Sequence, residues 1–165
     1  MTVALRPLTA HDTAWLEQWF ANVAHSVGYD DDGHRLLALE DSGDARVHVI
    51  ERGEPAEPVG LIVSTLHAPS KRAARAKPAA IGQRVAIIEF VGTPPGDARR
   101  GSGMSAAAAL ERILMDEGVR TIYAPAPERH GIAVYFWIRL GYRPLLRHEW
   151  PCERQGVAWL RRDIT

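Results

Sequence analysis

The sequence predicts an α/β (α+β) fold with a mixed sheet, and three observations carry that expectation. A β-branched run, Arg84 to Val91, precedes a glycine-containing loop and an alanine-rich helical segment, Ser105 to Glu117, so strand, loop and helix follow one another. Two further runs, Arg46 to Glu51 and Val59 to Leu66, flank the turn-forming linker Arg52 to Pro58, as in an antiparallel hairpin. Apolar residues recur at helical spacing in Trp15 to Val23 and again in Ile132 to Leu140. The 165 residues suffice for one domain with a full core and are too few for two ordinary ones, so 1–165 reads as a single domain.

In chain order, Val3-Ala4-Leu5-Arg6-Pro7 reads as a short edge strand, and Thr9 with Asp12 forms a capping box for the next helix. On that helix Trp15, Leu16, Trp19, Phe20 and Val23 make a wide core stripe, which ends near Gly28. Asp30-Asp31-Asp32-Gly33 is first of all a turn, with attraction of a cationic amine as the alternative reading. A short helical segment follows from about His34 to Glu40. Beyond the hairpin, His67 to Gln83 is rich in Ala, Pro and basic residues (Lys71, Arg72, Arg75, Lys77), either a solvated connection or a basic flap over an anion.

The strand Arg84 to Val91 then leads through Gly92 to Ala98 into the helix from Ser105, which sets Leu110, Ile113 and Leu114 on a core face and stops at Gly118. Arg120 to Ala124 is a strand that Pro125-Ala126-Pro127 terminates. A helix from about Gly131 to Leu140 carries Ile132, Ala133, Phe136, Trp137 and Leu140 on one side and ends at Gly141. Two strands, Arg143 to Trp150 and Val157 to Asp163, close the chain.

Twenty basic residues balance twenty acidic ones, so composition offers no electrostatic case for nucleic acid or an anionic membrane surface. Cys152 is the only cysteine, which excludes an intrachain disulfide and a cysteine-rich metal site and fits a reducing cytoplasm. Arg6-Pro7 interrupts the N-terminus before a secretory h-region can form, and the longest apolar run, Ile132 to Ile138, is far short of a membrane span. A soluble cytoplasmic protein without a metal centre is the expectation.

The segment Arg99-Arg100-Gly101-Ser102-Gly103-Met104-Ser105 carries the chemistry. Its glycines allow positive φ and close approach of backbone to ligand, its first-turn amides converge on one side, and its arginines can meet an anion bidentately. No lysine follows the glycines, so a mononucleotide P-loop is disfavoured, and the third glycine of the dinucleotide fingerprint is missing. The stretch Arg100 to Ser105 resembles the pyrophosphate loop [QR]-x-x-G-x-[GA] of the GNAT superfamily of acyl-CoA N-acyltransferases, with Ser105 in place of the final Gly or Ala. Val3 to Thr9 is similar to that family's opening strand, and His130 to Tyr142 to its N-x-x-A-x-x-F-Y-x-x-x-G-[FY] signature. Ala133, Phe136, Gly141 and Tyr142 fall on pattern there, while His130 replaces the Asn and Trp137 the Tyr.

This resemblance implies a GNAT fold over nearly the whole chain: a mixed, mostly antiparallel sheet of about six to seven strands flanked by about four helices. It implies transfer of an acetyl group from acetyl-CoA, as cosubstrate, to a primary amine of a small molecule or a protein, with an acyl-CoA-binding module of little transferase activity as the alternative. A homodimer is compatible with it. Val91, Arg99, Arg100, Gly101, Ser102, Gly103, Met104, Ser105, His130, Ala133 and Trp137 would bind the cosubstrate, with an amide near Val91 meeting the thioester oxyanion. A protonated amine near pKa 10.4 must lose a proton before attack, and Glu89, an acid interrupting an apolar strand, is the candidate base; its other reading is a solvent-facing side chain on a half-exposed strand. His130 is a candidate acid or base, or else a surface histidine at a helix start. The family's helix tyrosine protonates the departing thiolate. Trp137 cannot, and Tyr135, about 200° around the helix, points elsewhere. Cys152 reads as filler.

Overall fold

The computed structural model describes residues 3–23, 45–67, 84–98 and 100–165. Seven strands form one sheet: β1 (Val3–Pro7), β2 (Ala45–Arg52), β3 (Glu57–His67), β4 (Arg84–Gly92), β5 (Val119–Pro127), β6 (Arg143–Pro144) and β7 (Val157–Asp163), in the order β1-β2-β3-β4-β5-β7-β6. Helices α1 (Thr13–Val23), a single turn α2 (Pro95–Ala98), α3 (Ser102–Asp116) and α4 (Gly131–Arg139), with 3-10 turns at Ala10–Asp12 and Arg147–Glu149, complete the described elements. β4 and β5 are parallel, while β1 with β2, β5 with β7 and β6 with β7 are antiparallel. The expected acidic turn at Asp30 to Asp32, the helical segment after it, the basic loop beyond His67 and Arg99 lie outside the described residues.

The described residues divide into two compact units, one within Met1–Ser64 and Phe90–Leu110, the other within Thr65–Glu89 and Glu111–Thr165. In the first, the stripe of α1 does what its spacing demands: Leu16 and Trp19 are buried with Val47, Val49, Leu61, Val63 and Phe90, and Trp15 and Phe20 pack alongside. Each such side chain removed from water contributes about 1.5–3 kcal/mol. The capping box forms as the sequence predicts, with the Thr9 amide donating to Asp12 Oδ2 at 2.9 Å. Asp12 also receives Arg6 Nη1 and Nη2 at 2.8 and 2.7 Å, and Arg6 Nε donates to Glu51 at 2.5 Å. These bonds tie the helix start to the β1–β2 edge. Gly60 admits the end of β4, since a Cβ there would collide with the Gly92 carbonyl oxygen.

In the second unit one sheet face buries Val85, Ile87, Tyr123 and Trp159, with Leu145, Trp150 and Val157 against them. On the other face Tyr142 and Arg162 converge on Glu111 of α3. Tyr142 Oη donates to Oε1 at 2.9 Å, and Arg162 Nη1 donates to Oε2 at 2.8 Å and to the Leu140 carbonyl at 2.7 Å.

Three boundaries differ from expectation. β5 does not stop at its prolines but runs through Pro127. Its bonds with neighbours explain why. Glu128 N–H donates to the Gly156 carbonyl and Ile164 N–H to the Arg120 carbonyl, so the even-numbered residues of β5 address β7. Pro125 and Pro127 therefore turn their missing N–H groups toward the β4 side, where the ladder has already ended at Ile87↔Tyr123. The strand expected from Arg143 to Trp150 is only Arg143–Pro144, because Glu149 accepts from the Leu146 amide and from Arg143 and folds the rest into a 3-10 turn, Arg147–Glu149. α3 begins at Ser102, not Ser105. Its first turn needs no acceptor four residues back, so Gly103 costs little there.

Candidate functional site

The loop before α3 belongs to the first unit, and its geometry follows from one glycine. Gly101 takes φ +76°, a conformation that L side chains rarely adopt, and a Cβ there would meet nothing within 4 Å. Gly103 has no positive φ; it lies buried in the first turn of the helix. The Arg100 amide donates to the Asp97 carbonyl at 3.0 Å and the Ser105 amide to that of Gly101 at 3.0 Å. Ser105 is therefore a first-turn helical residue with an exposed side chain rather than a cap. The amides of Ser102, Gly103 and Met104 have no acceptor within the helix, as at any helix start. Ser102 Oγ is buried and has no hydrogen-bond partner among the described residues. An orphaned hydroxyl beside first-turn amides, behind a left-handed glycine and the exposed Arg100, is an arrangement that suits a phosphate-type anion. Val91 lies on β4 beyond the last residue paired with β5, so its amide has no partner in that ladder.

The second unit holds the other candidates. Glu89 stands two residues past the end of the β4–β5 ladder, on the face of Val85 and Ile87. It is not the solvent-facing side chain of a half-exposed strand. Its side chain is 9% exposed, Oε1 accepts from Thr65 Oγ1 at 3.1 Å, and Oε2 accepts from Arg154 Nη1 at 2.7 Å. Arg154 in turn lies over the Trp159 ring, its Cζ 5.0 Å from the centroid. Sequence reasoning passed over Thr65, Arg154 and Trp159. Arg154 lies 65 residues from Glu89 in a polar turn, where no local periodicity marks it.

His130 is the N-cap residue of α4 and makes no side-chain cap bond; its backbone N–H donates to the Pro127 carbonyl at 3.0 Å. Ala133 is half-buried on the first turn of α4. Trp137 is 4% exposed, edge-on to Phe136 at 5.0 Å and tilted against Tyr142 at 4.8 Å. Tyr135 is 60% exposed and lies under Arg139. Tyr142, the phenol in contact with Trp137, is no replacement acid: burial, and then the Glu111 carboxylate, push its hydroxyl far above the ordinary range. Cys152 is exposed, not filler. Among the described residues no group of His, Cys, Asp and Glu can hold a metal ion, and no helix is long and apolar enough to cross a membrane.

No protein-family model matches the chain, and no curated protein matches it in sequence. Solved structures do. An acetyltransferase from Thermus thermophilus is 22% identical with a TM-score of 0.68, the match covering 99% of this chain and 98% of that one. A GNAT-family acetyltransferase from Staphylococcus aureus is 11% identical with a TM-score of 0.73, covering 99% and 100%. PaiA N-acetyltransferase from Thermoplasma acidophilum, solved in complex with coenzyme A, is 10% identical with a TM-score of 0.70, again covering 99% and 100%. At such identities what is shared is the arrangement of the chain, a mixed and mostly antiparallel seven-stranded sheet with its helices, and that arrangement is the GNAT acetyltransferase fold.

Proposed function

We propose that the chain, as one domain over residues 1–165, is a cytoplasmic N-acetyltransferase that moves an acetyl group from acetyl-CoA to a primary amine. The observation that carries this reading is the start of α3, where the left-handed Gly101 and the buried Ser102 hydroxyl, without a partner among the described residues, suit a pyrophosphate. The fold supports it, as does the coenzyme A complex of a structural neighbour.

Acetyl-CoA supplies an acyl thioester already activated for attack. Gly101 to Ser105, with Arg99 and Arg100, hold the pyrophosphate. His130, Ala133 and Trp137 contact the pantetheine arm. The Val91 amide donates to the oxygen on which negative charge develops. Glu89 takes the proton of the acceptor ammonium, directly or through water, and the freed nitrogen pair attacks the thioester carbon. The carbon–sulfur bond then breaks and the sulfur leaves with its electron pair. Trp137 has no proton to give at neutral pH, so that sulfur leaves as thiolate or takes a proton from water, His130 or the cationic nitrogen, which sheds its second proton as the amide forms. The absence of an acid at position 137 also favours a second reading, an acyl-CoA-binding module with little transfer.

Thiol release from acetyl-CoA across a panel of amines, beside calorimetric CoA binding, separates the two. The enzyme reading predicts acceptor-dependent release that Glu89→Gln lowers by roughly 10²- to 10⁴-fold with CoA affinity nearly unchanged. Binding without acceptor-dependent release would establish the module instead.

A further inference from the structure

Arg52 ends β2, where it is paired across the sheet edge with Val3 of β1. Its guanidinium forms an ion pair with the Asp97 carboxylate on α2. Both residues belong to the first unit, as does the loop before α3. Their side chains are only 18% and 14% exposed, so the pair is largely withdrawn from water.

Asp97 is also where that loop begins. Its N–H donates to the Pro94 carbonyl at 2.9 Å, and its own carbonyl accepts the Arg100 N–H at 3.0 Å, one residue before the left-handed Gly101. A turn closed by such a bond keeps its end Cα atoms within about 7 Å. The Asp97 carboxylate therefore belongs to the surroundings of the anion site, and there its sign is wrong. Left bare, it would cancel one of the two positive charges that Arg99 and Arg100 bring to the loop. A carboxylate mostly out of water is also weakly screened, so its repulsion of a phosphate group is strong. Arg52 removes that repulsion, because the pair carries no net charge and an arginine stays protonated at any working pH.

We propose that Arg52 is a positioning residue of the pyrophosphate loop, acting through Asp97: it holds the acid at the start of the loop as a neutral pair, so that the loop can receive an anion. This rests on the reading that the start of α3 binds the pyrophosphate of coenzyme A.

The test uses the full chain and two ligands that share the reacting end, acetyl-CoA and acetylpantetheine, the second of which lacks the pyrophosphate. Arg52→Gln leaves the carboxylate bare and should weaken CoA binding in calorimetry by about 10-fold at low salt, a loss that narrows as salt is raised. Adding Asp97→Asn replaces the ion pair by two neutral amides and should recover most of the affinity. Asp97→Asn alone should bind CoA at least as tightly as the native chain, because it removes an acid and frees a cation beside the loop. In thiol release with the best amine acceptor, Arg52→Gln should raise KM for acetyl-CoA and leave kcat/KM for acetylpantetheine unchanged, a split that general damage to the fold would not produce. Undiminished CoA binding by Arg52→Gln with a native circular dichroism spectrum, or a loss shared equally by both donors, would overturn the role of Arg52 and leave the pyrophosphate reading standing. Should Arg52→Gln not fold, Asp97→Asn decides: a folded Asp97→Asn that binds CoA about 10-fold more weakly would overturn the charge argument. No CoA binding by the native chain would overturn the pyrophosphate reading itself, and this inference with it.

Discussion

Glu111→Ala removes a carboxylate on which two partners of the C-terminal unit depend, and the structure sets its cost. Tyr142 is 2% exposed, so its hydroxyl, which donates to Glu111 at 2.9 Å, would lose its acceptor with no water to replace it. That orphaned group costs about 1–3 kcal/mol. Arg162 is 36% exposed and keeps the Leu140 carbonyl at 2.7 Å, so its lost ion pair is largely screened and adds less than about 1 kcal/mol. Losing the packed stem of a side chain that is 7% exposed adds about 1 kcal/mol more. The expected total is about 3 kcal/mol. Tyr142→Phe, which leaves Glu111 with Arg162, should cost only about 1 kcal/mol. In the double variant the orphaned hydroxyl is gone, so its cost should fall short of the sum by about 1–2 kcal/mol. Urea unfolding at neutral pH reads these differences as shifts of the midpoint at constant slope. A Glu111→Ala cost below about 1 kcal/mol, or strict additivity, would refute the claim that the carboxylate satisfies the buried phenol.

Asp12 is held well below the usual carboxylate range, chiefly by Arg6 and then by the Thr9 amide and hydroxyl. Its ionised form is the stabilising one, so the contribution is fully present above the ordinary value of 3.8 and fades as pH falls below it. In melts of the native chain and Asp12→Asn the gap should stay constant from pH 7 to about 5, begin to narrow below the ordinary value of 3.8 and remain partly open at pH 3; a gap that widens toward acid would contradict this. Trp137→Ala should destabilise the chain by about 3–5 kcal/mol through the contacts with Phe136 and Tyr142. Thermal unfolding checks it, and a loss near zero would mean that the indole is not packed.

What the sequence makes legible here is what local chemistry decides. Gly118 and Gly141 end their helices with φ +88°, a requirement written into the residue itself, and the Thr9–Asp12 box needs only a spacing of three. β7 spans Val157–Asp163 as its pattern predicts. Pro125 and Pro127 mislead because their tolerance depends on where a neighbouring ladder stops, a fact of pairing and not of composition. β6 is cut short by the side chain of Glu149, which competes for the Leu146 amide. The surroundings of Glu89 are the least legible part of the candidate site. Thr65 and Arg154 lie 24 and 65 residues away, and neither belongs to a motif. The loop before α3 is readable because its glycines and arginines are consecutive, although only Gly101 uses the left-handed region and the helix starts three residues early.

The central claim is that the start of α3 receives the pyrophosphate of coenzyme A. Isothermal calorimetry of CoA against the native chain and Gly103→Glu, each checked for a native circular dichroism spectrum, tests it most directly. The substitution puts bulk and negative charge into the buried first turn that carries the Ser102 hydroxyl. Saturable binding to the native chain, abolished in the folded variant, is the predicted result. Undiminished CoA binding by folded Gly103→Glu, or no binding by the native chain, would contradict it.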